Sequence, residues 1–305
     1  MNLITLHHWN AGQILEVIEF AQKYKQEYQK YGDVLKGKTL LMIFEKTSTR
    51  TRISFESGFS KLGGHAIYMD ARTSNLVLSE LMDEARYMTR NVDMIMGRML
   101  KNQSIVTLAE YATVPVINGC CDLYHPCQIL SDLLTIQEEF GRLEGLTLAY
   151  IGIRNNVCND LLAALPKVGM RFYQVTPLKS ENQVVPAIDE YASKTGKWIE
   201  TDDIEEAIKN ADIVYTDTWI NMEFFGDSKY KEKNEEKIQK MMPYQVNGKL
   251  IGLKPGIKIM HDMPMHPGYE ITREVIEHPG AIIFPQAGNR MWAQNALMLK
   301  LFGMY

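Results

Sequence analysis

The sequence has little of what nucleic-acid binding, membrane insertion or secretion would require. Its formal net charge is −4, so it lacks the basic excess of a general binder of nucleic acid or of an anionic membrane surface. No apolar run approaches the roughly 18 residues of a membrane-spanning helix. The first residues show neither a basic region nor a small-residue cleavage site. These absences predict a cytoplasmic protein that binds no nucleic acid and no membrane.

Cysteine is also scarce, and a dinucleotide fingerprint is missing. The four cysteines, Cys120, Cys121, Cys127 and Cys158, have neither the spacing of a metal site nor that of a secreted disulfide framework. They indicate a reducing compartment. The turn at Gly152 carries no G-x-G-x-x-G pattern, which disfavours an NAD-dependent oxidoreductase. These features indicate neither a cysteine metal site nor a dinucleotide cofactor.

What the chain does have is a regular alternation of apolar runs and amphipathic helical patterns. Its 305 residues, 46% of them hydrophobic, are enough for two domains. The alternation predicts the α/β class, with two doubly wound parallel-sheet domains that bind ligands at the carboxyl ends of their strands. A link between the domains is expected at 138–146. The expected strands are 39–43, 65–69, 92–98, 114–119, 146–151, 171–175, 212–216, 257–260 and 281–284.

The densest group of polar side chains lies between the first expected strand and the helix that follows it. The apolar face of that helix is expected to comprise Ile53, Phe55, Phe59 and Leu62. Ser48, Thr49 and Thr51 supply hydroxyls, and Arg50 and Arg52 supply guanidinium groups. Helix N-termini favour anions, and arginine adds donors shaped for phosphate oxygens. A capped helix with solvated arginines also fits this pattern. Complementary groups elsewhere in the chain favour a phosphate site.

Further polar residues follow later strands or begin later helices. Arg98 ends the third expected strand, and Pro126 places His125 and Gln128 at a helix start. A histidine at this position is often only a cap or a core residue. Beside an arginine-rich anion site, however, His125 and Gln128 are good donors to a carbonyl oxygen and an amide.

Three separated motifs resemble the aspartate/ornithine carbamoyltransferase family, and they occur in the family's order. They are Ser-Thr-Arg-Thr-Arg at 48–52, His-Pro-Cys-Gln at 125–128 and Gln-Ala-Gly-Asn-Arg at 286–290. The segments that favour the ornithine branch over the aspartate branch are 44–52, 125–132, 154–156, 244–247 and 289–291. The similarity covers nearly the whole chain.

The resemblance implies an organisation for the protein. Residues 1–140 form a carbamoyl phosphate-binding domain, and the C-terminal helix at 288–305 packs back on it. Residues 146–287 form the domain for an amine or amino-acid acceptor, and the active site lies in the cleft between the two domains. The family usually forms trimers, so we expect a homotrimer or a multiple of trimers.

The resemblance also assigns residues to carbamoyl transfer. An amine attacks the carbamoyl carbon, fixed donors stabilise the developing oxyanion, and phosphate leaves without help from a metal or cofactor. The implied carbamoyl phosphate-binding residues are Ser48, Thr49, Arg50, Thr51, Arg98, His125, Gln128, Met263 and Arg290, of which Arg98, His125, Gln128 and Arg290 are catalytic. The implied acceptor-binding residues are Asn156, Asp217, Asn221, Met222 and Asp262.

The acceptor side departs from the ornithine pattern. Asp262 stands where ornithine enzymes carry cysteine, Asn221 replaces a serine, Glu223 replaces a glycine, and the loop at 76–80 lacks a basic residue. Ornithine is the default acceptor, which would give citrulline and phosphate and place the protein in arginine metabolism. A different amine such as putrescine, lysine or a related diamine is an alternative. A non-catalytic metabolite-binding paralogue is another, although the complete carbamoyl phosphate set argues against it.

Overall fold

The computed structural model describes residues 1–179, 183–220 and 228–304. The chain divides into two compact units. Unit 1 comprises Met1–Gly141 and Gly288–Tyr305, and unit 2 comprises Arg142–Ala287. Among the described residues, each unit contains one sheet, and all paired strands in both sheets are parallel. The prediction of two parallel-sheet α/β domains is therefore confirmed.

The sheet of unit 1 has the strand order β2-β1-β3-β4. Its central strands are buried along nearly their whole length, as expected for a parallel sheet covered on both faces. The strands are β1 (Thr39–Phe44), β2 (His65–Asp70), β3 (Met94–Arg98) and β4 (Val116–Cys120). The helices are α1 (Ala11–Glu27), α2 (Thr49–Lys61), α3 (Leu81–Met88), α4 (Asn102–Tyr111) and α5 (Pro126–Phe140).

The sheet of unit 2 has the strand order β7-β6-β5-β8-β9. The strands are β5 (Thr147–Arg154), β6 (Arg171–Lys179), β7 (Trp198–Glu200), β8 (Ile213–Thr216) and β9 (Lys258–His261). The helices are α6 (Asn156–Ala164), α7 (Pro186–Thr195), α8 (Ile204–Asn210), α9 (Lys231–Met241), α10 (Gly248–Ile251) and α11 (Arg273–Ile276), followed by α12 (Ile283–Phe302). The core of this unit is aliphatic and includes Ile151, Val175, Val214 and Ile259.

The last helix, α12, leaves unit 2 and is part of unit 1 from Gly288 onward. Within unit 1, the Asn289 side chain donates to the Thr135 hydroxyl at 3.0 Å, and Asn295 donates to the Tyr24 hydroxyl at 2.8 Å. Gly58 of α2 allows a close approach, because a Cβ atom there would lie 2.2 Å from the Asn295 side chain. These polar contacts fix α12 beside α1, α2 and α5.

Three local predictions were wrong. The expected strand at 281–284 is only an isolated bridge at Ala281, and α12 begins at Ile283. A short apolar run does not by itself distinguish a strand from a buried helix start. The short edge strand β7 was missed. On α2, Ile53 was expected on the apolar face but is 60% exposed, because Ile53 and Phe55 are two residues apart and so point to opposite sides of a helix.

Among the residues that the structure describes, no helix is both long and apolar enough to span a membrane.

Candidate active site

The phosphate-type motif and Arg98 lie at the same edge of the sheet in unit 1. Strand β1 ends at Phe44, which pairs with Arg98, the last residue of β3. Helix α2 begins five residues later, so its first turn rises from this edge. Carboxyl ends of parallel strands are where ligands bind in such sheets. The register therefore brings residues far apart in sequence to one place.

Two of the predicted arginines donate hydrogen bonds to the Thr51 hydroxyl. It accepts hydrogen bonds from Arg98 Nη1 at 3.3 Å and from Arg290 Nη2 at 3.0 Å. Arg290 Nη1 also donates to Gln128 Oε1 at 2.6 Å. These side chains, together with His125, are all buried, and we call the five residues the arginine cluster. Four elements, α2, β3, α5 and α12, supply them.

His125 occupies the N-cap position of α5, but its side chain makes no capping hydrogen bond. It is only 3% exposed. Burial holds the pKa of His125 well below its ordinary value, and the charges of Arg290, Arg98, Lys46 and Arg50 lower it further. The imidazole is therefore neutral at pH 7 and keeps one N–H donor. Lys46 was not among the predicted site residues, although it lies only two residues before Ser48.

Both polar atoms of the Gln128 side-chain amide form hydrogen bonds. Its Nε2 donates to Asp132 Oδ1 at 2.9 Å, and its Oε1 accepts from Arg290. Asp132 is buried one helical turn after Gln128. The carboxylate thus orients the amide, and the amide orients the Arg290 guanidinium. Asp132 was not predicted as a site residue, since a lone acidic residue on a helix carries no signal by itself.

Two members of the Ser-Thr-Arg-Thr-Arg motif have ordinary structural contacts. Ser48 caps α2, and its hydroxyl accepts from the Thr51 N–H at 3.3 Å. Arg52 is exposed, pairs with Glu56 at 2.9 Å and lies over the Tyr68 ring at 3.9 Å. The capped-helix alternative thus accounts for these two residues. It does not account for the buried guanidinium groups that converge on Thr51.

In unit 2, two acidic residues lie side by side at the sheet edge. Thr216 at the end of β8 pairs with His261 at the end of β9. Asp217 and Asp262 are the next residues on these strands, which run about 4.8 Å apart in a parallel sheet. Asp217 accepts from Asn155 Nδ2 at 2.6 Å. Asn155 was not among the predicted acceptor-binding residues.

The proximity of the two carboxyl groups changes the pKa of Asp217. Asp217 is only 4% exposed, and burial together with the neighbouring Asp262 raises the pKa of Asp217 to about 7. The backbone N–H of Thr218 and the Asn155 amide act in the opposite direction. Burial and the same two carboxyl groups also raise the pKa of the Tyr150 hydroxyl well above its ordinary value. The edge of this sheet is thus an acidic, desolvated site.

We expect Asp217 to make the protein less stable as the pH rises. Its folded pKa lies above the ordinary value of 3.8, so its contribution to stability is present below about pH 4 and is lost as the pH passes 7. An asparagine side chain at this position cannot ionise. The stability advantage of Asp217→Asn over the parent should therefore grow by about 1 kcal/mol between roughly pH 6 and pH 8. Urea unfolding at both pH values measures it.

The matched control for this experiment is Asp202→Asn, which changes an exposed carboxylate of the same unit. Its difference from the parent should not change with pH over this range. A constant difference for Asp217→Asn as well would contradict the raised pKa.

A hydrogen-bond network fixes the loop after β9. The buried Glu270 carboxylate accepts from the His266 backbone N–H and lies 3.1 Å from His261 Nε2. On its other side, the His261 ring accepts from the Met263 N–H at 2.7 Å, where Met263 has a left-handed φ of 66°. His266 Nδ1 in turn lies 2.9 Å from the Thr218 hydroxyl. The network therefore holds the Asp262 loop against the Asp217 loop.

The remaining predicted acceptor residues are placed as follows. Asn156 is the first residue of α6, and its side-chain oxygen accepts from the Val157 N–H. Asn221 and Met222 lie outside the described residues. Gln286, the first residue of the third motif, accepts from the His261 N–H at 2.9 Å. In the described ranges, no group of three His, Cys, Asp or Glu side chains could hold a metal ion.

Comparison with known proteins agrees with this architecture. Residues 1–138 match the domain described as aspartate/ornithine carbamoyltransferase, carbamoyl-P binding domain, and residues 144–301 match the corresponding Asp/Orn binding domain. The ornithine carbamoyltransferase of Bacillus thuringiensis subsp. konkukian is 40% identical over 306 positions, covering 99% of this chain and 94% of the relative. That of Archaeoglobus fulgidus is 40% identical over 99% of this chain and 97% of its own.

The solved structure of ornithine carbamoyltransferase from Pyrococcus furiosus has a TM-score of 0.91 and 38% identity, covering all of this chain and 98% of that one. The chain belongs to the aspartate/ornithine carbamoyltransferase family. The predicted family resemblance and the prediction of a carbamoyltransferase enzyme are thereby confirmed.

Proposed function

We propose that this protein transfers the carbamoyl group from carbamoyl phosphate to ornithine, giving citrulline and phosphate. The convergence of Arg98 and Arg290 on Thr51, at the N-terminus of α2, carries the proposal. Residues 1–140 with 288–305 bind carbamoyl phosphate, and residues 146–287 bind the acceptor. The acceptor assignment draws support from the relatives that are named ornithine carbamoyltransferase.

The arginine cluster suits the chemistry of the donor. The start of α2, with Ser48, Thr49, Arg50 and Thr51, receives the phosphate, because helix N–H groups and a guanidinium both stabilise its charge. Arg98, Arg290 and the neutral His125 then face the carbamoyl oxygen as it becomes anionic. Gln128 holds Arg290 in place. In this proposal, the chain supplies only positioning and electrostatic stabilisation, and the leaving phosphate accepts the amine proton.

The Asp217 and Asp262 pair suits a cationic acceptor. Two neighbouring carboxylates repel each other unless they share a proton or a cation. An acceptor ammonium group supplies that cation. Only a neutral amine attacks a carbonyl carbon, so we assign Asp217 to the ammonium group of ornithine that does not react. The second carboxylate, Asp262, favours an acceptor that is more cationic than ornithine. A diamine such as putrescine also carries a second ammonium, and this makes it the competing acceptor.

A panel assay for phosphate release tests the proposed function. The acceptors are ornithine, putrescine, lysine, agmatine and diaminopropionate, each with carbamoyl phosphate. We expect the highest kcat/KM with ornithine. Highest activity with putrescine would assign the enzyme to diamines. No release with any acceptor, in a protein that still binds carbamoyl phosphate, would favour a metabolite-binding role without catalysis.

We expect Asp262→Cys to change acceptor preference rather than donor binding. Cysteine is small and uncharged at this position, so the substitution removes the like charge beside Asp217. Selectivity for ornithine over the other amines should rise several-fold. The affinity for carbamoyl phosphate should stay nearly unchanged. Competition assays with pairs of acceptors measure the ratio of their kcat/KM values. The same acceptor ranking in the parent and in Asp262→Cys would show that Asp262 does not determine acceptor preference.

We further propose that the protein is a homotrimer or a multiple of trimers. Unit 1 exposes several large apolar side chains, with Leu78 81% exposed; they include Ile53, Val77, Leu78 and Tyr87. Exposed apolar surface favours association with another chain. Light scattering during gel filtration should give three copies of the 35.0 kDa chain, or a multiple of three. The mass of one chain would contradict the proposal.

A further inference from the structure

Unit 2 contains a cavity to which the proposed function assigns no ligand. Its volume is about 530 Å³, within the usual range for sites that hold small organic molecules. Ile153, Leu178 and Trp219 form an apolar part of its wall. Four lysines, Lys179, Lys233, Lys237 and Lys240, also line it, and we call it the lysine cavity.

Three of these lysines lie on one face of α9. Positions 233, 237 and 240 follow helical spacing, so their side chains project to the same side. Lys233 and Lys237 form a like-charged i,i+4 pair, which destabilises a helix. Elsewhere on the same helix, the i,i+4 pair Lys231 and Glu235 has opposite charges. The charges on the cavity face of α9 are therefore not arranged to stabilise the helix, whereas those of Lys231 and Glu235 are.

The charges of these lysines are poorly balanced within the protein. In the part of the chain that the structure describes, none of the three α9 lysines forms an ion pair with Asp or Glu. Lys179 pairs with Glu200. Glu236 is the only acidic residue among the described residues of the cavity wall. Burial and the charge of Lys233 lower the pKa of Lys237. Clustered ammonium groups in a cavity raise its local positive potential, although the whole chain is acidic.

We propose that the lysine cavity binds the carboxylate or phosphate group of a small organic anion. Lysine is a common ligand for such groups, and several ammonium groups around one cavity bind an anion more tightly as its negative charge increases. The apolar wall fits the carbon skeleton of a small organic anion. Asn155 and Thr218 line this cavity and also hydrogen-bond Asp217. The anion would thus lie next to the acceptor site.

The anion has two possible sources. It is either an acidic part of the acceptor itself or a separate metabolite that binds beside the acceptor. The first source rests on the proposed function, since it requires acceptor binding at Asp217. The binding of an anion to the cavity does not depend on carbamoyl transfer.

Calorimetry with citrate tests the proposal. The cavity variant is Lys233→Gln with Lys237→Gln. The control variant is Lys194→Gln with Lys231→Gln, which removes the same charge from exposed lysines that pair with glutamates outside the cavity. We expect the parent and the control to bind citrate alike, and the cavity variant to bind at least about tenfold more weakly. If citrate bound at the arginine cluster instead, the cavity variant and the control variant would bind it with equal affinity.

Two results would overturn the proposal: no citrate binding by the parent, or equal affinity in the two variants. Urea unfolding checks that the cavity variant folds, and we expect it to be no less stable than the parent because a like-charge pair is lost. Lys240→Gln is a second cavity variant and should weaken citrate binding on its own.

A second titration with saturating ornithine, without carbamoyl phosphate, assigns the source. Weaker citrate binding in its presence supports the cavity as an anion site that the acceptor shares. Unchanged citrate binding supports the cavity as a site for a separate metabolite. If the panel assay found no carbamoyl transfer to ornithine, the proposed function would fail while the citrate affinities of the variants would still test the cavity.

Discussion

Replacing Arg50 with alanine should weaken carbamoyl phosphate binding about 100-fold or more while leaving the fold intact. Arg50 is the second residue of α2 and is only half-buried, so it contributes little packing to the core. Its positive charge reaches the site, because it contributes to the lowered pKa of the buried His125. A charge-assisted bidentate contact to phosphate is among the strongest that a side chain makes, and its truncation costs roughly 2–5 kcal/mol.

Arg52→Ala is the matched control for this experiment. Arg52 lies two residues away on the same helix and has the same charge, but it pairs with Glu56 and stacks on Tyr68. Calorimetry with carbamoyl phosphate should therefore give nearly the parent affinity for Arg52→Ala. Thermal unfolding verifies that both variants are folded. If Arg50→Ala bound carbamoyl phosphate as tightly as the parent, the assignment of the phosphate site to the start of α2 would be wrong.

Replacing His125 with alanine should lower kcat about 10²–10³-fold, the usual cost of removing one donor to a developing oxyanion. Its imidazole is neutral, buried and surrounded by cationic groups. A neutral ring keeps its N–H as a donor, and burial strengthens each hydrogen bond that it makes. Since the side chain does not cap α5, its loss should not unravel that helix. Phosphate release at saturating substrates measures the effect.

Two further variants separate catalysis from structure at His125. His125→Asn retains an N–H donor and should recover part of the lost kcat. His278→Ala changes an exposed histidine of unit 2 and should have the parent kcat. Near-parent turnover in His125→Ala would reduce His125 to a structural residue of the α5 N-terminus. The same conclusion would follow if the fall in kcat of His125→Ala were accompanied by a large loss of thermal stability.

Much of the fold could be predicted from the sequence because burial leaves a local trace. Thr39–Phe44 is a continuous apolar run, since a parallel strand is covered on both faces. Pro126 marks the start of α5 because its fixed φ suits the first turn of a helix. The misassigned 281–284 segment and the exposed Ile53 show where a local pattern is not enough to predict the structure. Where an apolar run is short or its spacing ambiguous, the neighbouring elements decide the conformation and the face.

The sequence by itself determined which residue types lie at strand ends and helix starts, and these made a phosphate-type site recognisable. Only the tertiary structure decided which of them meet. Thr51 and Arg290 are 239 residues apart, yet they are hydrogen-bonded. Asp217 and Asp262 become neighbours through the register of β8 with β9. Asp132, Asn155 and Glu270 acquire their roles from the side chains that they orient.

The physical reason is that local pattern reports on backbone conformation and burial, which depend on nearby residues. The pKa of a buried group depends instead on distances to charges that come from the whole chain. The neutral His125 and the raised pKa of Asp217 both arise from burial combined with charges contributed by distant segments. Such electrostatic properties exist only once the strands have paired and the last helix has packed on unit 1.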